Sequence, residues 1–199
     1  MTPILWSFRR CPYAMRARLA IANSAIAVEL REILLRDKPA VFVAASSKAT
    51  VPVLQLPDGT VIDESFDVMM WALRQNDPDN WLSCEVGDPD AVTDFFAALD
   101  GPFKHHLDRY KYASRFDPEE AQMHRAEGSS FLSDLNEKLS KTGALSGPHL
   151  GVMDFGSLPF IRQFRIADPA WFDAQDWPHL HHWLQTFLAS ALFASVMEK

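Results

Sequence analysis

Residues 4–14, Ile-Leu-Trp-Ser-Phe-Arg-Arg-Cys-Pro-Tyr-Ala, pass from a short apolar run through two arginines into a Cys-Pro pair. Ile4 to Phe8 reads as a β-strand and Pro12 to Asn23 as a helix, so Cys11 falls at a strand-to-helix junction. Proline at the first helical position costs no hydrogen bond, because that N–H has no intrahelical partner. The first-turn amides and the helix dipole favour an anionic sulfur, and Arg9 and Arg10 add positive potential. An ordinary cysteine titrates near about 8.5, and such surroundings lower that by roughly one to several units. The thiolate is the nucleophile of thiol–disulfide exchange. Two readings of Cys11 therefore stand side by side, a reactive centre and a small buried hydrophobe. Ala14 occupies the place of the second thiol in a Cys-x-x-Cys motif, so a redox cycle at Cys11 needs an external thiol to close it.

Working outward, Val28 to Leu35 reads as a second strand, 38–45 as a short helix and Val51 to Leu56 as a third strand. Pro57-Asp58-Gly59-Thr60 is a turn leading to Val61-Ile62, a short strand that pairs back as a hairpin. Phe66, Met69, Met70 and Leu73 then repeat at i, i+3, i+4 and i+7, one face of a helix. The order is β-α-β-α-β-β-α, an α/β domain over residues 1–76. Residues 77–87 are polar with a proline and read as a linker. Residues 88–199 read as an all-α bundle. Asp88 to Ala113 and Pro118 to Lys141 are predicted as two long helices, the second capped by Asp117. Val152 to Ile166, apolar nearly all round, is predicted as a buried helix. A last helix from Pro178 carries one stripe of Leu180, Trp183, Leu184, Phe187, Leu188, Ala191 and Leu192.

The chain has 199 residues, 48% hydrophobic and 23% charged, which excludes disordered, fibrous and coiled-coil classes. A net charge of −7 removes any global electrostatic case for nucleic acid or an anionic membrane. Two cysteines, Cys11 and Cys84, make no disulfide framework and point to a reducing compartment. Pro3 and the arginine pair interrupt what a secretory leader needs as an apolar stretch, and no run reaches the ~18 apolar residues of a membrane span. Cys84, beside Glu85 and Asp88, reads as incidental. His105-His106 and the cluster His179, His181 and His182 have no cysteine or carboxylate set at zinc-like spacing, so no metal is expected there. The six tryptophans show no stacking pattern among basic residues and read as core or linker packing.

Strand, Cys11-Pro12-Tyr13-Ala14, helix, then Val51-Pro52-Val53-Leu54, then Asp63-Glu64-Ser65 opening a helix, resembles the glutathione transferase superfamily over nearly the whole chain. The likeness is to its cysteine-type, omega-like members, which are known for glutathione-dependent thiol transfer and reduction more than for conjugation. It implies a thioredoxin-like domain followed by a helical domain, glutathione as co-substrate, a small disulfide or electrophile as second substrate, no metal, a cytoplasmic location and a homodimer. Carried over residue by residue, Cys11 is the catalytic thiol. Pro52 is a cis-proline that exposes the Val51 backbone to the cysteinyl part of glutathione. Glu64 takes the γ-glutamyl ammonium, and Ser65 with its helix N-terminus takes the carboxylate. Lys38, with Leu35 and Tyr13 nearby, matches the group that holds the glycyl carboxylate. Tyr110 and Tyr112, with Arg109 or Arg115 nearby, fall where the second-substrate pocket lies, and Tyr110 with Arg115 is the candidate pair.

Singly, each residue has a plainer reading: Glu64-Ser65 as a cap, Lys38 as a surface charge, Pro52 as a strand-edge proline, Tyr110 as core. Jointly the spacings favour the resemblance. Gly151 stands where the superfamily's capping box, Ser/Thr-x-x-Asp ending at Asp154, has a hydroxyl, at a typical cost of only a few tenths of a kcal/mol. Leu150 and Phe155 offer a hydrophobic staple. Conjugation to an electrophile is the first rival function. It wants a hydroxyl on the glutathione sulfur, for which Trp6 replaces the expected tyrosine and Ser7 is the candidate donor. A non-catalytic partner-binding protein on the same fold is the second rival.

Overall fold

The protein is described as a computed structural model covering residues 2–198, with the side chains of Glu85 and Val86 left out of the description. It falls into two compact units, residues up to Asn80 together with those from Ser190 on, and Trp81–Ala189.

In the first unit, β1 (Ile4–Ser7), α1 (Pro12–Asn23) and β2 (Glu29–Glu32) form a parallel βαβ arrangement, with Ile4 opposite Glu29. After α2 (Ala40–Ala45), β3 (Val53–Gln55) runs antiparallel to β1, with Trp6 opposite Val53. It turns at Pro57–Thr60 into β4 (Val61–Ile62), and α3 (Ser65–Gln75) follows. The sheet order is β2-β1-β3-β4. Side chains alternate along β1, so Trp6 and Ser7 lie on opposite faces. Trp6 packs with Phe42 of α2, ring centroids 5.5 Å apart, in a buried cluster with Ile33, Val51 and Val53. Strands β2 and β3 are shorter than the runs that announce them, being paired with β1 only over Glu29–Glu32 and Val53–Gln55.

The last helical segment differs from expectation. The apolar stripe from Leu180 to Leu192 does not belong to one helix: the helix Pro178–Leu188, α10 in chain order, stops before Ala191, and Ser190 caps a new helix, its Oγ accepting from the Phe193 N–H at 3.1 Å. That helix, α11 once the second unit is counted, spans Ala191–Met197 and packs on α1 in the first unit. Arg9 Nη1 donates to the Met197 carbonyl at 3.1 Å. The carboxyl end predicted for the helical domain thus groups with the α/β unit.

In the second unit, the predicted linker contains α4 (Ser83–Gly87). The predicted long helix becomes α5 (Pro89–Ala98), a π-turn at 99–103 and α6 (Lys104–Lys111). Pro102 supplies the reason: it lacks the N–H for the ladder and crowds the preceding turn, which widens. Two short 3₁₀ turns lead to α7 (Ala121–Thr142), then come α8 (Val152–Ala167), α9 (Pro169–Asp173) and α10 (Pro178–Leu188). Three Asp-Pro pairs open helical segments, with Asp88, Asp117 and Asp168 accepting from the N–H of Ala91, Glu119 and Trp171.

The start of α8 is organised by Asp154, fully buried. Its Oδ1 accepts from the Leu145 N–H (2.8 Å) and the Trp183 indole (2.8 Å), and its Oδ2 from the N–H of Ser146 (2.9 Å) and Gly151 (3.0 Å). The hydroxyl that Gly151 lacks comes from Ser146, whose Oγ accepts from the Met153 N–H at 3.2 Å. A Cβ on Gly151 would stand 2.8 Å from both Ser146 Cβ and the Trp81 carbonyl oxygen. Glycine is therefore the fitted residue here rather than a weak substitute. Phe155 stacks on Trp81, centroids 3.8 Å apart, while the expected staple partner Leu150 is exposed.

Candidate active site

Cys11 is the N-cap of α1, directly before Pro12, with extended backbone (φ −79°, ψ 124°). Its N–H donates to the Phe8 carbonyl at 2.9 Å and its carbonyl accepts from the Met15 N–H, so the β1–α1 turn holds the sulfur in place. The side chain is half-buried, outside any disulfide, and packs on the Trp6 cluster. It makes no capping hydrogen bond to the helix amides. The thiol donates instead to the Val51 carbonyl, Sγ to O 3.8 Å. Val51 is buried, and the Val51–Pro52 bond is cis. Two segments 40 positions apart, the α1 N-terminus and the loop entering β3, therefore meet at the sulfur.

A second polar group gathers at the N-terminus of α3. Ser65, its first residue, is buried, and its Oγ accepts from Arg16 Nη1 at 3.3 Å. Arg16 sits on α1 five residues beyond Cys11, is itself fully buried, and lies 5.6 Å from the Tyr13 ring centre. Glu64, exposed, takes Lys48 Nζ at 2.5 Å, and the same ammonium reaches Asp63 at 3.1 Å. The Ser46 hydroxyl donates to the other Asp63 oxygen at 2.8 Å. Those two contacts, Ser46 first and Lys48 second, hold the Asp63 carboxyl below the usual carboxylate range. Glu64 and Asp63 raise Lys48 above its ordinary value.

Of the sequence-derived candidates, the structure brings Cys11 to Val51-Pro52, and ties Ser65 to the helix that carries Cys11 and Tyr13. Leu35 and Lys38 sit in the exposed segment between β2 and α2, beside a tight bridge of Leu34 with Asp37. Tyr110 and Arg115 have different neighbours: Tyr110 packs on Phe164, centroids 5.0 Å apart, and Arg115 stacks on Tyr112, 4.6 Å from its ring centre. Burial pushes the Tyr110 phenol above its ordinary value, opposed by Arg125. Ser7 is fully buried on the face of β1 opposite Trp6. Sequence reasoning missed Arg16, Ser46 and Lys48. A fully buried arginine leaves no periodicity signal on a helix, and Lys48 looks like any solvated lysine.

No helix among the described residues is long and apolar enough to cross a membrane. Residues 5–81 match the family model described as "Glutathione S-transferase, N-terminal domain". The fold is that of the glutathione transferases, and three solved structures illustrate it. Glutathione transferase F7 from Populus trichocarpa superposes with a TM-score of 0.83 at 16% identity, covering 100% of both chains. A glutathione transferase family member from Pseudomonas fluorescens, solved with two glutathiones bound, gives 0.84 at 14% identity over 99% of this chain and 92% of that one. Glutathione transferase Omega 3C from Trametes versicolor gives 0.82 at 16%, covering 100% and 90%.

Proposed function

We propose that this chain, with its glutathione transferase fold, is a glutathione-dependent thiol transferase of the cysteine type. The observation that carries the reading is the Cys11 sulfur, at the N-cap of α1, 3.8 Å from the carbonyl of the residue before the cis-proline. As a thiol, Cys11 donates to that carbonyl. Once deprotonated, the sulfur is repelled by the carbonyl oxygen and attracted by the first-turn amides of α1, so ionisation turns it toward the helix tip. The Val51 backbone is then open to pair with the cysteinyl unit of glutathione. The zwitterionic γ-glutamyl end finds both charges at α3: Glu64 for the ammonium, and Lys48, Ser65 and the helix N-terminus for the carboxylate. Lys38, Leu35 and Tyr13 complete the site toward the glycyl end. Tyr110 and Arg115 remain the candidates for the second substrate.

In the reaction the Cys11 thiolate attacks the glutathionyl sulfur of a mixed disulfide. A Cys11–glutathione disulfide forms, the original bond breaks, and the partner leaves as a thiolate. A second glutathione thiolate attacks the glutathionyl sulfur of that intermediate, releasing oxidised glutathione and restoring Cys11. Ala14 makes the external resolving thiol obligatory. Conjugation is less well supported, because its candidate hydroxyl, Ser7, lies on the wrong face of β1. A purely partner-binding role has no use for this arrangement of polar groups. The reading carries with it a reducing, cytoplasmic compartment and a homodimer, the latter tested by sedimentation.

The deciding experiment compares wild type with Cys11→Ala on a glutathione mixed disulfide and on a chloroaromatic electrophile, with Cys84→Ser in both backgrounds. Thiol transfer is lost in Cys11→Ala, and intact mass shows one glutathionyl adduct on wild type only. Conjugation that survives the substitution, with no thiol transfer in wild type, overturns the proposal in favour of a conjugating enzyme. Absence of both activities and of glutathione binding leaves the partner-binding role.

A further inference from the structure

We propose that His105, His106 and His124 form a binding site for a divalent first-row transition ion, separate from the glutathione site. Adjacent residues of α6 supply two imidazoles and α7 supplies the third, and their donor nitrogens lie within 4.8 Å of one another. His106 Nδ1 and His124 Nδ1 are 2.9 Å apart and share a hydrogen bond, whose proton a bound ion would displace. Two metal–nitrogen bonds of about 2.0–2.1 Å at a right angle place their nitrogens about 2.9 Å apart, whereas a tetrahedral angle needs about 3.4 Å. The spacing thus suits a tetragonal or octahedral ion such as Ni²⁺ as it stands, and Zn²⁺ after a small opening of the pair.

The surroundings fit a ligand set. His124 is almost wholly buried, so its ring is fixed by packing. Its Nε2 is buried without a hydrogen bond, and faces the Glu120 carboxylate at 3.6 Å. A metal on Nδ1 puts the proton on Nε2, directed at Glu120, which is the carboxylate–histidine–metal relation that orients ligands in metal sites. His105 is exposed, with Nδ1 accepting from Arg109 at 3.0 Å; its ring can turn to the ion while Arg109 goes to water. Spacing along the chain hides this site, because His124 lies 18 positions from His106 and meets it only through α6–α7 packing.

The test is titration of tag-free, chelator-treated protein with NiCl₂ and with ZnCl₂ by calorimetry, with thermal unfolding alongside. One ion binds per chain and raises the melting temperature. His106→Gln and His124→Gln each weaken binding by at least about tenfold, and Glu120→Gln by a similar factor if it orients His124. Should His124→Gln fail to fold, the more accessible His105→Gln and His106→Gln carry the test. His179→Gln with His182→Gln leaves affinity unchanged. No saturable binding, binding undiminished in His106→Gln, or loss only with the 179/182 pair overturns the proposal. None of these outcomes bears on thiol transfer.

Discussion

Asp154→Asn keeps the shape of the side chain and removes one acceptor oxygen from a fully buried site. Each carboxylate oxygen takes two N–H donors: Leu145 and the Trp183 indole on Oδ1, Ser146 and Gly151 on Oδ2. A carboxamide offers one oxygen, so whichever way it turns, two donors lose their acceptor and confront an NH₂. A buried donor left unsatisfied costs about 1–3 kcal/mol, which gives about 2–6 kcal/mol for the pair. The indole belongs to a side chain that can shift, whereas the Ser146 and Gly151 amides are set by the backbone. The amide oxygen therefore turns to Ser146 and Gly151, and relaxation at Trp183 brings the cost to roughly 3–4 kcal/mol. That is a large share of the roughly 5–15 kcal/mol that holds a typical protein folded. Urea unfolding followed by tryptophan emission and circular dichroism reads it as a lower midpoint at unchanged slope. The melting temperature falls by roughly 6–16 °C, at about 2–4 °C per kcal/mol for a chain of this size. A loss below about 1 kcal/mol refutes the view of Asp154 as the organiser of the α8 start.

Gly151→Ser, which supplies the hydroxyl of a Ser-x-x-Asp capping box, destabilises by about 1–3 kcal/mol in the same assay, because its Cβ is forced against Ser146 and the Trp81 carbonyl. A stabilised variant contradicts the assignment of the cap to Ser146. Ser46→Ala moves the Asp63 carboxyl up toward the ordinary value near about 3.9, followed by carboxyl-carbon NMR titration. The sign follows from linkage. A depressed native pKa stabilises the fold above the unfolded value and is lost as pH falls through the lower, native one. Wild type therefore loses this contribution progressively as pH falls from the ordinary carboxylate value through the lower native one, and Ser46→Ala has less of it to lose. An unshifted Asp63 in the variant shows that Ser46 does not hold the carboxylate.

The α/β unit was legible because its signals are local. A period-2 apolar run, a proline at the first helical position and an Asp-Gly turn each dictate backbone within a few residues, and α1 starts and stops where Pro12 and Asn23 place it. The helical half was less legible for two opposite reasons. At Leu99–Phe103 the periodicity runs on while Pro102 breaks the ladder, and at Ser190 an apolar stripe continues across a cap that restarts the helix in a different unit. Periodicity reports which face is apolar, and not whether one axis carries it. The Asp-Pro pair at 168 was as readable as those at 88 and 117, and α9 could have been placed from it.

At the candidate site, the residues singled out from sequence are those whose chemistry depends on backbone position: Cys11 on a helix tip, Pro52 before a strand, Ser65 on another helix tip. Of those missed, Arg16 and Lys48 act through long side chains that cross from element to element, to Ser65 and Glu64, and Ser46 acts through a short hydroxyl on Asp63, 17 positions away. The same division explains how far the sulfur itself could be read. Placement at the N-cap follows from Cys-Pro, but the direction of the side chain depends on the Val51 carbonyl 40 positions away. Because that carbonyl stabilises the S–H form and opposes the thiolate, the site couples ionisation of Cys11 to release of the Val51 backbone. Under the function proposed above, a glutathione cysteinyl N–H that took the same carbonyl would remove the competing acceptor from the thiol, so that substrate binding and thiolate formation would be one exchange of hydrogen bonds.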